Sequence, residues 1–427
     1  ALAAAWAALV AAAWPGVMTW DSIVQLQQAR IGQYGNWHPP LMARLWRTLD
    51  GWLPGPAPML LLQSALVALG LALVCRRLVA PRAAGWLATA IFLCPPVFAP
   101  LLAIWKDALM AGVLLCGAAA LASRRAAAHA VAWPLLAVAA ALRHNAPVLI
   151  LPLAALLGPY PAAWSAARRA LVGAALGLAA CAAGVALSHR LVTRDEFPLA
   201  NMIGLCDTAA VIAAAPPMSD DEVRALLGDA APLGPGHYQA RLRALGGDAG
   251  DLFATTTGPA PVLARATTPA LAAAYLAAWR RAVTAHPGAY AAHRLAVLWR
   301  LLGWTRPRPV PFTTLLAEDD RELGLIDEHH AHSGAQRAIA GALVRLGRSV
   351  VFWPMLYLVL AVGLLVLHWR DRLLRALLFG AITYELSLVA TAPLGSDYRY
   401  SHWLITCAVI AAAVRLARAL GAGPAPA

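Results

Sequence analysis

About ten apolar windows of roughly helix length run through the sequence and limit the folds it can adopt. A helix needs about 20 apolar residues to cross the ~30 Å hydrocarbon core of a bilayer. The composition fits this pattern: 61% of the residues are hydrophobic, only 13% are charged, and the mean hydropathy is +0.64. A soluble domain carries about a quarter charged residues. We therefore predict an all-α, polytopic membrane protein. The windows are 1–18, 57–80, 83–104, 108–123, 128–142, 146–158, 170–187, 350–368, 373–394 and 402–419.

Two of these windows, 128–142 and 146–158, are short for a bilayer and are separated by Arg143, His144 and Asn145. The pattern is compatible with one broken helix or with two half-spanning helices, and the sequence leaves both open.

Basic residues cluster in alternate loops, which indicates an orientation. If the first helix runs outward, twelve basic residues lie on the cytoplasmic side and six in the short loops opposite, as the positive-inside rule requires. The basic residues fall between apolar stretches, so the formal charge of +13 does not indicate a nucleic-acid partner. We expect a multi-pass protein of a bacterial inner membrane. The twelve are Arg76, Arg77, Arg82, Arg124, Arg125, Arg168, Arg169, Arg370, Arg372, Arg375, Arg415 and Arg418, and the six are Arg30, Arg44, Arg47, Lys106, Arg143 and Arg399.

One long polar stretch, 188–348, divides the chain into a transmembrane module (1–187), an extracytoplasmic domain and C-terminal transmembrane helices (349–427). The domain would be periplasmic in a diderm bacterium. It shows helix-start signals and no persuasive strand pattern, so we predict that it is mainly helical.

Three helices are predicted within that domain. Ser219 to Glu222 form a capping box, Thr268-Pro269 begins a helix running toward Ala285, and a third follows His286-Pro287. The third is expected to pack through Tyr290, Leu295, Leu298 and Leu301.

Only six of the 21 acidic residues lie outside 188–348, and carboxylates close to hydrocarbon are costly. Asp21, Asp107 and Asp397 each lie where an apolar segment meets the predicted outer surface. Asp371 is interpreted as a solvated partner of arginines, and Glu385, inside a predicted span, as a structural residue rather than a functional one. The sixth is Asp50.

Cations lie on the same side as the three boundary carboxylates. Lys106 is the single lysine among 34 basic residues, and a compact ammonium suits a phosphate. Arg143, His144 and Arg399 add further donors. A carboxylate at a wetted membrane boundary suits a general base for an acceptor hydroxyl. His38, in a His-Pro-Pro turn, either binds phosphate or fixes the loop.

These motifs resemble the GT-C superfamily of polytopic membrane glycosyltransferases, which use polyprenyl-phosphate-linked sugars. The resemblance rests on Trp-Asp-Ser-Ile-Val-Gln at 20–25, Tyr34 to Pro40, Trp-Lys-Asp at 105–107, Arg-His-Asn at 143–145 and Asp-Tyr-Arg-Tyr at 397–400. It covers most of 1–158 and 350–427 by layout. Two signatures differ: Asp21 is followed by Ser22 where several branches have Asp-Glu, and the Trp-Trp-Asp triplet of oligosaccharyltransferases is absent from the sequence.

The resemblance implies an inverting displacement at a periplasm-facing active site in the 1–187 module. The donor would be a polyprenyl-phosphate sugar in the bilayer, and the acceptor an unidentified glycan, lipid or protein. A divalent cation, Mg²⁺ or Mn²⁺, serves some branches and not others, so it stays open. The catalytic candidates are Asp21, as the base, and Asp107. The binding candidates are Lys106, Arg143, His144, Arg399, His38, Tyr398 and Gln25.

Three other interpretations remain. A transporter or flippase would use broken helices and Glu385 as a coupling site. Another is a non-catalytic protein that binds a lipid carrier. The run Asp-Glu-His-His-Ala-His at 327–332 contains zinc-ligand residue types, but contiguous side chains converge poorly, which favours a solvated loop.

Overall fold

A computed structural model describes residues 1–158, 160–161, 163–245, 262–304, 334–347, 349–391 and 397–423. These residues form helices, and a β-bridge pairs Val17 with Ala103. The prediction of an all-α chain is confirmed. The described residues fall into two compact units, one drawn from 1–193, 334–386 and 397–423, the other from 194–304 and 387–391.

The first unit contains most of the apolar helices. They are α1 (Leu2–Ala13), α2 (Trp20–Ile31), α3 (Leu41–Asp50), α4 (Ala57–Leu78), α5 (Pro81–Phe92), α6 (Pro95–Leu102), α7 (Lys106–Leu121), α8 (Ala126–Leu142), α9 (Pro147–Leu157) and α10 (Ala166–Leu191), then α16 (Gly334–Gly347), α17 (Pro354–Leu367), α18 (Arg372–Thr391, whose last residues fall in the second unit) and α19 (His402–Ala419).

The second unit is also helical. A π-helical turn, Ala200–Leu205, leads into α11 (Cys206–Ala214), followed by α12 (Asp220–Leu227), α13 (Tyr238–Ala244), α14 (Pro269–Ala285) and α15 (Pro287–Leu301). Its apolar core includes Leu205, Ile212, Val223 and Tyr275.

Within the described residues, four helical segments are long and apolar enough to cross a membrane: α4, α10, α18 and Tyr398–Ala419. A fifth is reached if α5 and α6, which meet at a 63° bend, count as one span. This agrees with a membrane protein, but the count of about ten spans is not confirmed. Every predicted window holds a helix, yet several are too short because hydropathy measures apolarity and not helix continuity.

The doubtful windows 128–142 and 146–158 form two separate helices, α8 and α9. The backbone of Arg143 is extended, and Pro147 begins α9. Proline lacks the N–H that a continuing helix would use, so a new helix starts there.

Close packing of α4 against α7 depends on two glycines. A Cβ added at Gly112 of α7 would lie 2.8 Å from the backbone nitrogen of Val67, and one added at Gly70 of α4 would lie 2.5 Å from Cβ of Leu115. Small residues let two helix backbones approach closely in this way. The contact sets the position of α7, whose first turn carries Lys106 and Asp107.

The predicted helix starts in the second unit are confirmed. Ser219 caps α12 in a capping box with Glu222, and the Thr268 side chain caps α14. The prediction of which residues form the buried face of α15 is partly wrong. Leu301 is buried but Leu295 is 49% exposed, and His293 and Arg294 are buried instead. They contact the fully buried Asp207, which a wholly apolar face would leave unpaired.

Candidate functional site

The β-bridge brings two chain segments side by side at one end of the first unit. The backbone nitrogen of Val17 donates to the carbonyl of Leu102 over 3.1 Å, and that of Ile104 donates to the carbonyl of Val17 over 3.0 Å. Helices α2 and α7 begin a few residues after these segments. Asp21 and Lys106, in the first turns of these helices, are therefore placed on the same side of the unit.

Gln63 of α4 supports the segment that leads into α7. Its amide nitrogen donates to the carbonyl of Ala103 over 2.7 Å, and its amide oxygen accepts from the backbone nitrogen of Trp105 over 3.2 Å. A fully buried glutamine that satisfies both ends in this way holds non-helical backbone in one conformation.

The start of α2 is tied to the same segment. Thr19 and Ser22 form a capping box, and their hydroxyls lie 3.0 Å apart. The Ser22 hydroxyl donates to the carbonyl of Ile104 over 2.5 Å, and the indole nitrogen of Trp105 donates to the Thr19 hydroxyl over 3.0 Å. Asp21 lies between these two anchored residues, so its backbone is fixed.

Asp21, His38 and Lys106 form a continuous chain of contacts. Nε2 of His38 lies 3.3 Å from Oδ1 of Asp21, and Nδ1 of the same ring contacts Nζ of Lys106. An ionised carboxylate only accepts hydrogen bonds, so Nε2 of His38 carries the proton and Nδ1 accepts from Lys106. His38 therefore links Asp21 to Lys106 through one contact at each of its ring nitrogens.

The same contacts set the charge states of Asp21 and His38. Burial would raise the pKa of Asp21, but Arg399 and then His38 outweigh burial and hold this pKa well below its usual value. Burial lowers the pKa of His38, the Lys106 charge lowers it further, and Asp21 offsets only part of this effect. At neutral pH the pair is a carboxylate facing a neutral imidazole.

Arg399, which lies far from Asp21 in the sequence, adds a further contact to this carboxylate. Its Nη1 lies 2.7 Å from Oδ2 of Asp21, and its Nη2 lies 2.7 Å from Oδ2 of Asp397. The guanidinium carbon lies 5.3 Å from the ring centre of Trp105 and 5.4 Å from that of Tyr400. Both oxygens of Asp21 are thus engaged, one by a histidine and one by an arginine.

A second acid–base pair lies beside this chain. Nη1 of Arg143 contacts Oδ1 of Asp107, and both side chains are buried. The guanidinium of Arg143 lies 5.1 Å from the ring centre of Tyr400, the aromatic ring that Arg399 also contacts. Among the described residues, Oδ2 of Asp107 has no hydrogen-bond partner. Tyr400 thus connects the two ionic groups.

Three predicted site residues occupy other positions. His144 is exposed, and its Nε2 lies 3.3 Å from the carbonyl of Asn36, at the rim of the cluster. The side chain of Gln25 donates to the main-chain carbonyl of Asp21 over 3.2 Å. Tyr398 packs against Phe352, with ring centres 5.5 Å apart, and is buried away from the ionic groups.

Sequence reasoning missed two contributors. Tyr400 lies two residues after Tyr398 and is the tyrosine that contacts both arginines. Gln63 lies inside an apolar window, where a lone amide should have drawn attention because a buried amide needs partners. A polar residue within a predicted span was the available signal for Gln63.

The site, defined here as Asp21, His38, Lys106, Asp107, Arg143, Asp397, Arg399 and Tyr400, combines three carboxylates with a lysine, two arginines and a histidine. Within the described part of the chain, no group of three or more His, Cys, Asp or Glu side chains is placed to hold a metal ion. The run 327–332, whose residue types could ligate zinc, lies outside the described residues.

Glu385 is a separate buried acid, in α18. It is fully buried, its Oε1 accepts from the Ser401 hydroxyl over 2.7 Å, and its Oε2 has no hydrogen-bond partner among the described residues. An unpaired charge in that environment would be costly, so the carboxyl group is expected to be neutral.

Comparisons of the chain with known protein families, with curated proteins and with solved structures return no match.

Proposed function

We propose that this protein is an integral membrane glycosyltransferase that uses a polyprenyl-phosphate-linked sugar and an extracytoplasmic acceptor. The supporting observation is the contact network in which Asp21 is held between His38 and Arg399, with Lys106 on the far side of the histidine. A half-buried carboxylate beside several cations suits transfer from a phosphate leaving group, because it can take the acceptor proton while the cations stabilise the phosphate.

Lys106, Arg143 and Arg399 are the proposed phosphate ligands. Each contacts a carboxylate or a histidine, so an incoming phosphate would compete for donors that are already oriented. A guanidinium offers five N–H donors in a planar fork, and Nε of Arg399 has no hydrogen-bond partner among the described residues. Arg399 can therefore donate a hydrogen bond from Nε to a phosphate oxygen while it keeps a contact with Asp21.

Asp21 is the proposed base. While Arg399 holds its carboxylate, the low pKa makes Asp21 a weak proton acceptor. A donor phosphate that draws the arginine toward itself would remove the largest cause that lowers this pKa, and Asp21 would become more basic once the donor is bound. Donor binding and base activation are coupled in this proposal.

The proposed step is a single displacement. The acceptor hydroxyl oxygen forms a bond to the anomeric carbon while the bond from that carbon to the phosphate oxygen breaks. Asp21 takes the hydroxyl proton, and the phosphate leaves with the bonding electron pair, stabilised by Lys106, Arg143 and Arg399. Asp107 is assigned the role of holding Arg143 in place.

A transporter for a lipid-linked or small anionic substrate is the second candidate, because Glu385 is a buried acid in a candidate span with one oxygen unpartnered. In that case Glu385 would carry the coupled proton and the ionic site would bind substrate.

Two variants separate these functions. Purified protein is incubated with a panel of polyprenyl-phosphate sugars, and donor consumption is followed for wild type, Asp21→Asn and Glu385→Gln. The transferase predicts that Asp21→Asn abolishes consumption while donor binding persists, and that Glu385→Gln keeps it. The transporter predicts no consumption, and vesicle uptake that is lost in Glu385→Gln. Asp221→Asn is the control, because the Asp221 side chain is 92% exposed in the second unit.

A further inference from the structure

A cavity of about 340 Å³ lies where α17 ends, α18 begins and α19 ends. His368, Arg370, Asp371, Arg415 and Arg418 are among its lining residues. Arg415 is about 20 Å along α19 from the first residue of that helix, His402, at a rise of ~1.5 Å per residue. Because Arg399 directly precedes that end of α19, the cavity is separate from the candidate catalytic site.

The cavity has excess positive charge. Arg418 is engaged by Oδ2 of Asp371 at 2.8 Å and by the carbonyl of Leu78 at 2.9 Å. The side chains of Arg370 and Arg415 form no hydrogen bond or ion pair with another described residue. The single carboxylate is therefore neutralised by Arg418, and two guanidinium groups remain uncompensated around one space.

A buried polar residue is among those that line the same space. His368 is 5% exposed and lines the cavity, and its Nε2 has no hydrogen-bond partner among the described residues. Buried ring nitrogens normally have a partner, so this unpartnered nitrogen beside two arginines is available to bind a ligand with hydrogen-bonding oxygens.

The remaining lining residues are apolar and exposed. Val366, Leu367 and Trp369 have 72%, 62% and 57% of their surface exposed. Leucine and valine side chains exposed at the end of an apolar helix suit acyl chains, and tryptophan favours the interface between headgroups and hydrocarbon. The site thus joins a cationic cavity to an apolar rim.

We propose that this cavity binds the phosphate group of an anionic phospholipid. Arg370 and Arg415 contact the phosphate oxygens, His368 supplies a further polar contact, and the acyl chains lie along Val366 and Leu367. Basic cavities between membrane helices are suited to anionic lipid headgroups. The proposal does not depend on the glycosyltransferase assignment.

The test uses native mass spectrometry of the full chain in detergent, titrated with phosphatidylglycerol or with phosphatidylcholine of the same acyl chains. Wild type is compared with the double variant Arg370→Gln/Arg415→Gln. The matched control is Arg124→Gln/Arg125→Gln, which removes two exposed arginines from the segment after α7 and leaves the cavity intact. Circular dichroism checks that both variants fold.

Wild type and the control are expected to prefer phosphatidylglycerol. The cavity variant is expected to lose roughly tenfold or more in affinity for this lipid while its weak binding of phosphatidylcholine is unchanged. Equal binding of phosphatidylglycerol by the two double variants would overturn the site. If inorganic phosphate displaces the lipid completely at equal concentration, the phosphate site stands but its ligand is the free anion and the lipid assignment fails.

Discussion

Nη1 of Arg399 lies 2.7 Å from Oδ2 of Asp21, so a residue at the start of the candidate span Tyr398–Ala419 completes a site that begins just after the first helix. The arginine also binds Asp397, which leaves it shared between two carboxylates. A shared, desolvated guanidinium is positioned to accept a third anion without a large movement of the backbone. This contact is the basis of the coupling proposed between donor binding and the basicity of Asp21.

Replacing Arg399 by glutamine is expected to lower donor turnover by about 10²-fold or more, since the variant removes one transition-state donor. Arg399→Lys should recover only part of the rate, because a lysine cannot span two carboxylates with a planar fork. The measurement is kcat with a polyprenyl-phosphate donor. The pH dependence of kcat/KM should also move, with the Asp21 limb shifting to higher pH in Arg399→Gln. Unchanged rate and pH profile would remove Arg399 from the mechanism.

The Asp107–Arg143 pair is expected to be strongly coupled in stability. Removing one partner of a buried ion pair leaves an unpaired charge and costs ~3–5 kcal/mol. Asp107→Asn and Arg143→Gln should each lower the free energy of unfolding by an amount in that range, while the double variant loses clearly less than the sum. The measurement is a double-mutant cycle by denaturant unfolding in detergent. Strict additivity would show that the two side chains act independently.

Acid is expected to destabilise the protein through His38. Its pKa is lowered in the folded state, so between that value and the unfolded pKa of about 6.5 the unfolded chain binds more protons. The free energy of unfolding therefore rises with pH across this window and falls when the pH drops below about 6.5. His38→Gln should flatten this slope in melting experiments, whereas His189→Gln, at an exposed position, should keep it. Asp21, with its lowered pKa, contributes at more acidic pH.

Gly112→Ala is expected to destabilise the protein by ~1–3 kcal/mol, because the new methyl group would meet the backbone of Val67. Gly85→Ala, in α5 with no atom within 4 Å of the added Cβ, is the matched control. It should be neutral or stabilising by up to ~1 kcal/mol, since alanine favours helix. Thermal unfolding of both variants checks this. Equal melting temperatures would contradict close α4–α7 packing.

The sequence was most informative at positions where a charged residue is costly and therefore needs a physical reason to occur. A carboxylate at a membrane boundary needs cations, and this reasoning selected Asp21, Lys106, Asp107, Arg143 and Arg399, which are far apart in the chain. In the structure Arg399 contacts Asp21 and Arg143 contacts Asp107. Their partners were less predictable. Asp21 contacts His38 and Arg399 because of the β-bridge and the Gln63 hydrogen bonds, and neither has a periodic signal in the sequence.

Aromatic positions and span counts were the weaker predictions. Tyr398 and Tyr400 both follow Asp397, and only the turn at residues 398–401 decides that Tyr400 faces the arginines. Apolar windows located each helix, but hydropathy could not show that Pro95-Pro96 would bend the chain by 63°. In α15, His293 and Arg294 are buried because they contact the buried Asp207. The spacing of apolar residues along the helix could not predict this contact.

The most direct test of the central claim is the release of polyprenyl phosphate from a radiolabelled polyprenyl-phosphate sugar, measured with wild type and with Asp21→Asn at matched donor occupancy. The account predicts release by wild type with at least one donor of a broad panel, and a loss of roughly 10²–10⁴-fold in Asp21→Asn with donor affinity retained. Release at an equal rate by Asp21→Asn, or no release from any donor by folded wild-type protein, would contradict it.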